Sequence, residues 1–168
     1  MPDAAAAVWL ILPAYFANSG ATLARGKMRM DFSRNFFDGR PVFGAGKTFE
    51  GFFLGIFLGT VTGFLQGAAQ NFYPVHLQMS AFSGALIAAG ALFGDLAGSF
   101  AKRRLGLKRG TPVPLLDQLD FVAGAILFAS LVYRIGIDAV MIIMIITPVI
   151  HLAANLIGHR IGVKKEPW

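Results

Sequence analysis

The stretch from Phe49 to Gln70 reads FEGFFLGIFLGTVTGFLQGAAQ, and its only charge, Glu50, stands at its start. It is long enough to cross a bilayer, which takes about 20 apolar residues as a helix. Gly51, Gly55, Gly59, Gly63 and Gly67 recur at every fourth position. On a helix they form one bare face, along which a second helix can approach closely. Gly90, Gly94 and Gly98 repeat the device in a later apolar run. These glycines are read as packing devices that build a site without doing chemistry. The pattern sets the class: an all-α, polytopic membrane protein, with residues 1–168 forming one membrane-embedded domain.

Composition agrees. Hydrophobic residues make up 55% of the chain and charged residues 14%, against about 25% charged in a soluble domain. The net charge is +6 and the pI about 10.1. In a soluble chain that would suggest nucleic acid, but no nucleic-acid motif is present. A bias of Lys and Arg toward cytoplasmic loops accounts for it, and no nucleic-acid partner is expected. The chain has no cysteine, which excludes disulfides and thiolate metal sites.

Five spans are expected, at about 4–24, 49–70, 81–102, 116–133 and 137–159, with Pro13 and Pro148 as possible kinks. Basic loops cover about 25–48 and 103–115. Fourteen of the fifteen basic residues fall at one end of such a bundle, Arg134 being the exception. This places the N-terminus outside and the C-terminus in the cytoplasm. The first basic residue, Arg25, follows the first apolar run, so that run reads as a retained helix and not a signal peptide. Residues 25–48 interleave cations with Phe32, Phe36, Phe37 and Phe43, which suits a segment lying at the bilayer surface. A disordered linker is the alternative, and the density of Phe argues against it. Residues 104–115, RLGLKRGTPVPL, read as a short ordered loop.

Glu50, Asp95, Asp117 and Asp120 lie within apolar segments or at their edges. A carboxylate in hydrocarbon costs about 2.5–3.5 kcal/mol on insertion scales, so such groups pair, hydrate or bind a metal. All four fall at the basic end, a combination that suggests a divalent metal and phosphate. Asp117 and Asp120 share a helix face at i, i+3 and repel unless a cation lies between them. Mg²⁺ suits such oxygen ligands; the alternative is that the pair caps the fourth helix. Asp95, Ser99 and Lys102 also share a face, with Arg103 beside them, either as a site or as a structural ion pair. Gly44-Ala-Gly-Lys-Thr48 matches the end of a P-loop, but Pro41 stands where the first glycine is needed and a membrane helix follows. Lys47, Thr48 and free amides at a helix start can still bind phosphate, unless Lys47 is only an interfacial anchor. His151, Asn155 and His159 share a face that carries no acid, so a metal is not expected there. Asn155 reads as a nucleotide or helix contact, and His151 as a buried structural histidine.

The stretch Ser99-Phe-Ala-Lys-Arg103, followed by Lys108, Pro112, Asp117 and Asp120, resembles the signature of the CDP-diacylglycerol synthase family. That signature closes on Asp-Arg-x-Asp; here it is Asp117-Gln-Leu-Asp120, and Thr-Pro-Val-Pro replaces the glycine-rich segment before it. Lys47-Thr-Phe-Glu-Gly51, Gly94-Asp-Leu-Ala-Gly-Ser99 and the short five-helix chain resemble its archaeal branch, the CDP-archaeol synthases. The resemblance implies a Mg²⁺-dependent cytidylyltransferase in the cytoplasmic membrane with its site facing the cytoplasm. It would join CTP to an isoprenoid ether lipid phosphate, 2,3-bis-O-geranylgeranyl-glycerol 1-phosphate, giving CDP-archaeol and pyrophosphate. Asp95, Asp117 and Asp120 would be metal ligands and, with Lys102, catalytic. Asn18, Lys47, Thr48, Glu50, Ser99, Arg103, Lys108 and Asn155 would bind substrate, with Asn18 and Asn155 reading the base. The alternatives are an ester-lipid CDP-diacylglycerol synthase, a small cation or proton transporter, or a non-catalytic lipid-binding scaffold. The clustering of acids at one interface disfavours transport.

Overall fold

The computed structural model describes residues 4–24, 26–72, 77–109, 111, 113 and 115–160, except for the side chain of Asn155. Arg25, Pro112, Lys164 and Lys165 lie outside the described residues. Five α-helices follow in order: α1 (Ala4–Leu23), α2 (Phe49–Ala69), α3 (Ala81–Arg104), α4 (Leu116–Ala129) and α5 (Ile137–Arg160). Among the described residues there is no strand, only two isolated bridges within residues 29–48. Four helices are long and apolar enough to cross a membrane. The fourth is shorter than its sequence suggests: it ends at Ala129, and Leu131, Val132 and Tyr133 continue as turns.

The helix starts are set by local chemistry. Thr48 is extended (φ −124°, ψ 151°) and its hydroxyl accepts the Gly51 N–H, capping α2. Ser80 and Ser83 form a reciprocal capping box at the start of α3. α3 is the hub, packed against α1, α2 and α4, while α5 closes against α1 and α4. Ile11, Ile87, Phe121, Val122 and Ile143 are fully or almost fully buried between them. Phe53, Phe57 and Phe64 on α2, and Ile145, Val149 and Leu152 on α5, point outward. Such a surface suits lipid, because helices satisfy their own backbone. Polar groups inside the bundle bond across it, as in Tyr15–Thr147 (2.8 Å) and Gln66 to the Trp9 carbonyl (2.6 Å).

The glycine ladder does what its spacing predicts. A Cβ at Gly55 would lie 2.8 Å from the Ala17 carbonyl of α1, and one at Gly63 would lie 2.6 Å from Gly84 Cα of α3. The α2 backbone is thus wedged between two neighbours. The later set meets α4: Gly90 faces Gly124 and Phe128, and Gly94 and Gly98 face Asp120.

Residues 26–48 are an ordered loop and not a disordered linker. Bridges Arg29–Thr48 and Asn35–Pro41 fold them back on themselves. A β-turn closed by the Arg34 N–H on the Asp31 carbonyl (2.8 Å) carries Phe32 and Ser33 at φ 48° and 61°. Backbone of this kind costs on the order of 1–3 kcal/mol per residue. Two contacts offset it. Phe32 packs on Phe49 at 5.4 Å, and the buried Asp31 carboxylate accepts N–H bonds from Ser33 (3.0 Å), Phe43 (3.2 Å) and Gly44 (2.8 Å).

Gly63→Ala should destabilise the protein by about 1–3 kcal/mol, because the added methyl meets immovable backbone. Gly136→Ala, whose Cβ would meet nothing within 4 Å, is the control. Equal melting temperatures in detergent would refute the packing role of the ladder. The Asp31 loop should resist acid. Burial pushes its carboxyl up, but the backbone donors Gly44, Ser33 and Phe43 outweigh that and hold it below the ordinary aspartate value. A depressed pKa contributes stability above the unfolded value, which is lost as pH falls through the folded one. Amide exchange at Phe43 and Gly44 should therefore stay slow until the pH drops below the usual aspartate range; loosening already near pH values of about 5 to 6 would contradict this.

Candidate active site

Asp95 lies on α3 nine residues before Arg104, roughly 13 Å along the helix axis at 1.5 Å per residue. It needs a partner at that depth. Lys47 supplies it, its ammonium sitting 2.5 Å from Asp95 Oδ1 and bonding the second oxygen as well. Lys47 can reach because it immediately precedes the α2 cap, and the ladder brings the start of α2 against α3. A second pair links Lys102 to Asp117, whose other oxygen accepts the Val113 N–H at 3.1 Å. Asp95 and Lys102 share a face of α3, yet each pairs with a different element and not with the other.

Asp120 sits between these pairs. It accepts the Phe121 N–H at 2.6 Å and covers Gly98, where an added Cβ would lie 2.8 Å from Asp120 Cγ. Asp95, Lys47 and Lys102 are within electrostatic reach of it. The two carboxylates of the Asp-x-x-Asp pair thus use different partners. Leu115, just before α4, has φ 68°, a strained conformation for a branched side chain adjacent to Asp117 and of the kind found near functional sites.

Two cavities adjoin these residues. The first, of about 430 Å³, is lined by Thr22 of α1, Lys47, Thr48 and Phe52 at the start of α2, Leu92, Asp95 and Leu96 of α3, and Arg109. Its lining combines the apolar Phe52, Leu92 and Leu96 with the charged Lys47, Asp95 and Arg109. The second, of about 530 Å³, lies between the 26–48 segment and the loop after α3, with Arg29, Arg40, Arg103, Lys108 and Arg109 in its wall. Ala45 and Arg109 belong to both. The Arg103 Nε is buried at this wall with no hydrogen-bond partner, a donor that an anionic oxygen would satisfy. The second cavity therefore suits a polyanion, and the first an anionic head attached to apolar chains.

The structure places Lys47, Thr48 and Asp95 in the wall of the first cavity and Arg103 and Lys108 in that of the second, whereas Lys102, Asp117 and Asp120 meet at the α3–α4 contact and line neither. Ser99 is buried on α3, one turn beyond Asp95. Glu50 holds the chain entering the loop, accepting N–H bonds from Lys27 (3.0 Å) and Met28 (3.1 Å), and lines neither cavity. Asn18 also lies away from both cavity walls, one turn before Ala21 and Thr22 of the first. The Asn155 side chain lies outside the described residues. Arg29, Arg40, Arg109 and Asp31 were not singled out from sequence; nothing in a basic loop distinguishes the arginines that converge from those that face solvent.

Among the described residues no three Asp, Glu or His side chains form a group able to hold a metal ion by themselves. Mg²⁺ needs fewer protein ligands than that, since it is usually held by one or two carboxylates together with substrate phosphates and waters. The donor set fits such an ion: Asp95 borders the first cavity, and Asp117 and Asp120 carry further carboxylate oxygens on α4, which packs against α3.

A family model described as CarS-like, CDP-archaeol synthase, matches residues 4–168. A CDP-archaeol synthase of Methanococcoides burtonii is 42% identical over 94% of this chain and 100% of its own length. Those of Methanococcus aeolicus (44%, covering 94% and 93%) and Pyrococcus abyssi (44%, covering 96% and 96%) are similarly close. A solved structure described as an intramembrane enzyme for archaeal membrane lipids biosynthesis superposes with a TM-score of 0.80 at 41% identity, over 89% of this chain and 92% of that one. A family match over residues 4–168 and relatives above 40% identity over nearly the whole chain lead to one conclusion: the chain belongs to the CDP-archaeol synthase family.

Proposed function

We propose that this protein transfers the cytidylyl group of CTP to 2,3-bis-O-geranylgeranyl-glycerol 1-phosphate, forming CDP-archaeol and pyrophosphate. Family membership makes it a membrane nucleotidyltransferase of lipid biosynthesis. One observation supports the fuller reading. A cavity floored by membrane helices and a cavity walled by cations share the Arg109 side chain. The lipid phosphate would enter the first, with its prenyl chains among the helices, and the nucleotide phosphates the second. The reacting phosphorus would then lie at the common wall.

In the reaction, an oxygen of the lipid phosphate forms a bond to the α-phosphorus of CTP as the bond to the bridging oxygen of the β-phosphate breaks. The nucleophile is already an anion, so no strong general base is required. The barrier lies in bringing two anions together and in charge building on the leaving pyrophosphate. Lys47, Lys102, Arg103, Lys108 and Arg109 are the groups that counter it, acting in a site partly shielded from water. Asp95 orients Lys47 and Asp117 orients Lys102, while Asp120 stands between the two pairs. Together with the phosphates these carboxylates would also hold Mg²⁺, which when bound supplies further neutralisation of the phosphate oxygens. Ester lipid phosphates present the same head group, so chain chemistry is read elsewhere in the first cavity. The basic end would face the cytoplasm, where CTP resides, with the N-terminus outside and the C-terminus inside.

The deciding assay uses purified protein, labelled CTP, Mg²⁺ and a panel of ether and ester lipid phosphates. Label should pass to the ether lipid and be lost with excess chelator; ion flux without transfer would favour a transporter. Asp117→Asn and Asp120→Asn should abolish transfer in protein that still inserts and folds; wild-type turnover in either would remove its assigned role. Lys102→Ala or Arg103→Ala should cost about 2.7–4 kcal/mol of transition-state stabilisation, by analogy with single oxyanion donors. The preference for CTP over UTP should persist; a variant that loses it at full rate would place that cation at the base. Orientation can be read by single-cysteine labelling, since the chain has no native cysteine. Gln78→Cys should react from outside and Phe37→Cys from the cytoplasm, and the reverse pattern would put CTP on the wrong side.

A further inference from the structure

Arg104, the last residue of α3, lines neither cavity. Its guanidinium lies over both Phe36 and Phe100, 4.8 Å from each ring centroid, and the two rings meet edge-on at 5.2 Å and 90°. Its Nη1 bonds Asp38, and its Nη2 bonds the Arg40 carbonyl (3.3 Å) and the Pro41 carbonyl. Arg40 returns the contact: its Nη1 bonds the Arg104 carbonyl and, at 3.5 Å, that of Arg103. Each arginine therefore satisfies backbone acceptors of the other's segment, and Arg40 covers the Arg104 carbonyl at the open end of α3 while sharing that of Arg103 with the Gly106 N–H. Gly106 completes the fit. At φ 77° it turns the chain, and an added Cβ there would lie 3.3 Å from Arg40 Nη1.

Such a node could simply hold the fold together. Its position indicates more. Arg40, Pro41, Arg103 and Gly106, all engaged by it or next to it, are wall residues of the cation-lined cavity. The 26–48 segment has bridges to itself and to the start of α2, but its far turn meets α3 through Arg104 and the Phe36–Phe100 contact. Without that attachment the wall carrying Arg40 has no fixed distance from the wall carrying Arg103. We propose that Arg104, with Arg40 and Asp38, is a positioning clasp that sets the width of the nucleotide-phosphate cavity. The proposal rests on the reading of that cavity given above. A planar fork over two rings is a task for Arg that Lys performs poorly, because an ammonium is a point charge without the fork.

The test combines steady-state kinetics with hydrogen exchange in Arg104→Ala, Arg104→Lys and Asp38→Ala, all reconstituted as the full chain. Arg104→Ala should raise KM for CTP about tenfold, with kcat within about twofold of wild type and KM for the lipid phosphate unmoved. Arg104→Lys should recover only part of the loss. Asp38→Ala should lose less than Arg104→Ala, because the carbonyl and ring contacts remain. Exchange across residues 34–43 should speed up in the same order. A merely structural role would reduce the amount of active protein and leave KM for CTP where it was, and that result would overturn the proposal. So would unchanged exchange in Arg104→Ala, or full rescue by lysine. If Arg104→Ala fails to fold, the Arg104→Lys and Asp38→Ala pair decides by the same criteria. Exchange is measured without nucleotide. A wild-type protein that transfers nothing from CTP would defeat the proposed function, while the exchange result would still judge the clasp.

Discussion

A carboxylate at Asp95 cannot stand alone at its depth in the bundle, and the ammonium of Lys47 is what answers it. The pair is partly buried, so removing one partner costs less than the roughly 3–5 kcal/mol of a fully buried pair but still strands the other charge. The contact imposes demands on the rest of the chain. Lys47 belongs to the residues that lead into α2, so α2 must start against the middle of α3. The bare glycine face of α2 allows that approach, and the carbonyls of α1 close over its other side. The 26–48 segment must then cover more sequence than distance. It does so by folding on Asp31 and clipping its far turn to Arg104. Helix packing, loop shape and site charge are thus one connected arrangement.

In the proposed reaction the phosphate chemistry would use the same charges that make the fold tolerable in lipid. Lys47 and Lys102 neutralise Asp95 and Asp117. A phosphate or divalent ion would compete for these same partners. Such exchange of one counter-charge for another avoids exposing a bare ion to hydrocarbon at any stage, which would be costly. Two cavities meeting at Arg109 allow both anions to approach along separate routes, one from the bilayer and one from water.

Much of this was legible in the sequence, for identifiable reasons. Apolar length and glycine spacing are local properties, so all five helices were foreseen, and four of the five ended within two residues of the span estimates. The end of α4 was missed because Leu131, Val132 and Tyr133 are as apolar as a helix there would be, and hydropathy does not register a turn. Asp95 and Asp117 were found as acids out of place in lipid, Lys102 by the helix face it shares with Asp95, and Lys47 by the P-loop-like stretch it belongs to. Their pairing was not, because i, i+7 spacing suggested a partner within α3, whereas the partners come from the α2 entry and from α4. Asp31 carried no signal at all, since an aspartate in a basic loop looks solvated until three backbone donors converge on it. Glu50 was noticed as an acid at the edge of an apolar segment, but its work is to tie down the chain that leaves α1 and enters the loop.

The brevity of α4 also bears on the membrane itself. Its 14 residues rise about 21 Å at 1.5 Å per residue, short of a hydrocarbon layer about 30 Å thick. If α4 spans as proposed, the bilayer beside it would thin, or flanking groups, head groups and water would reach inward toward Asp117. Such an adjustment would draw the aqueous boundary inward on the side where the two carboxylates stand. A lipid head group would then not have to climb out of its leaflet to meet a nucleotide from solution. On the proposed function, turnover would depend on the surrounding bilayer as well as on the chain, since a thicker, stiffer membrane resists that local deformation.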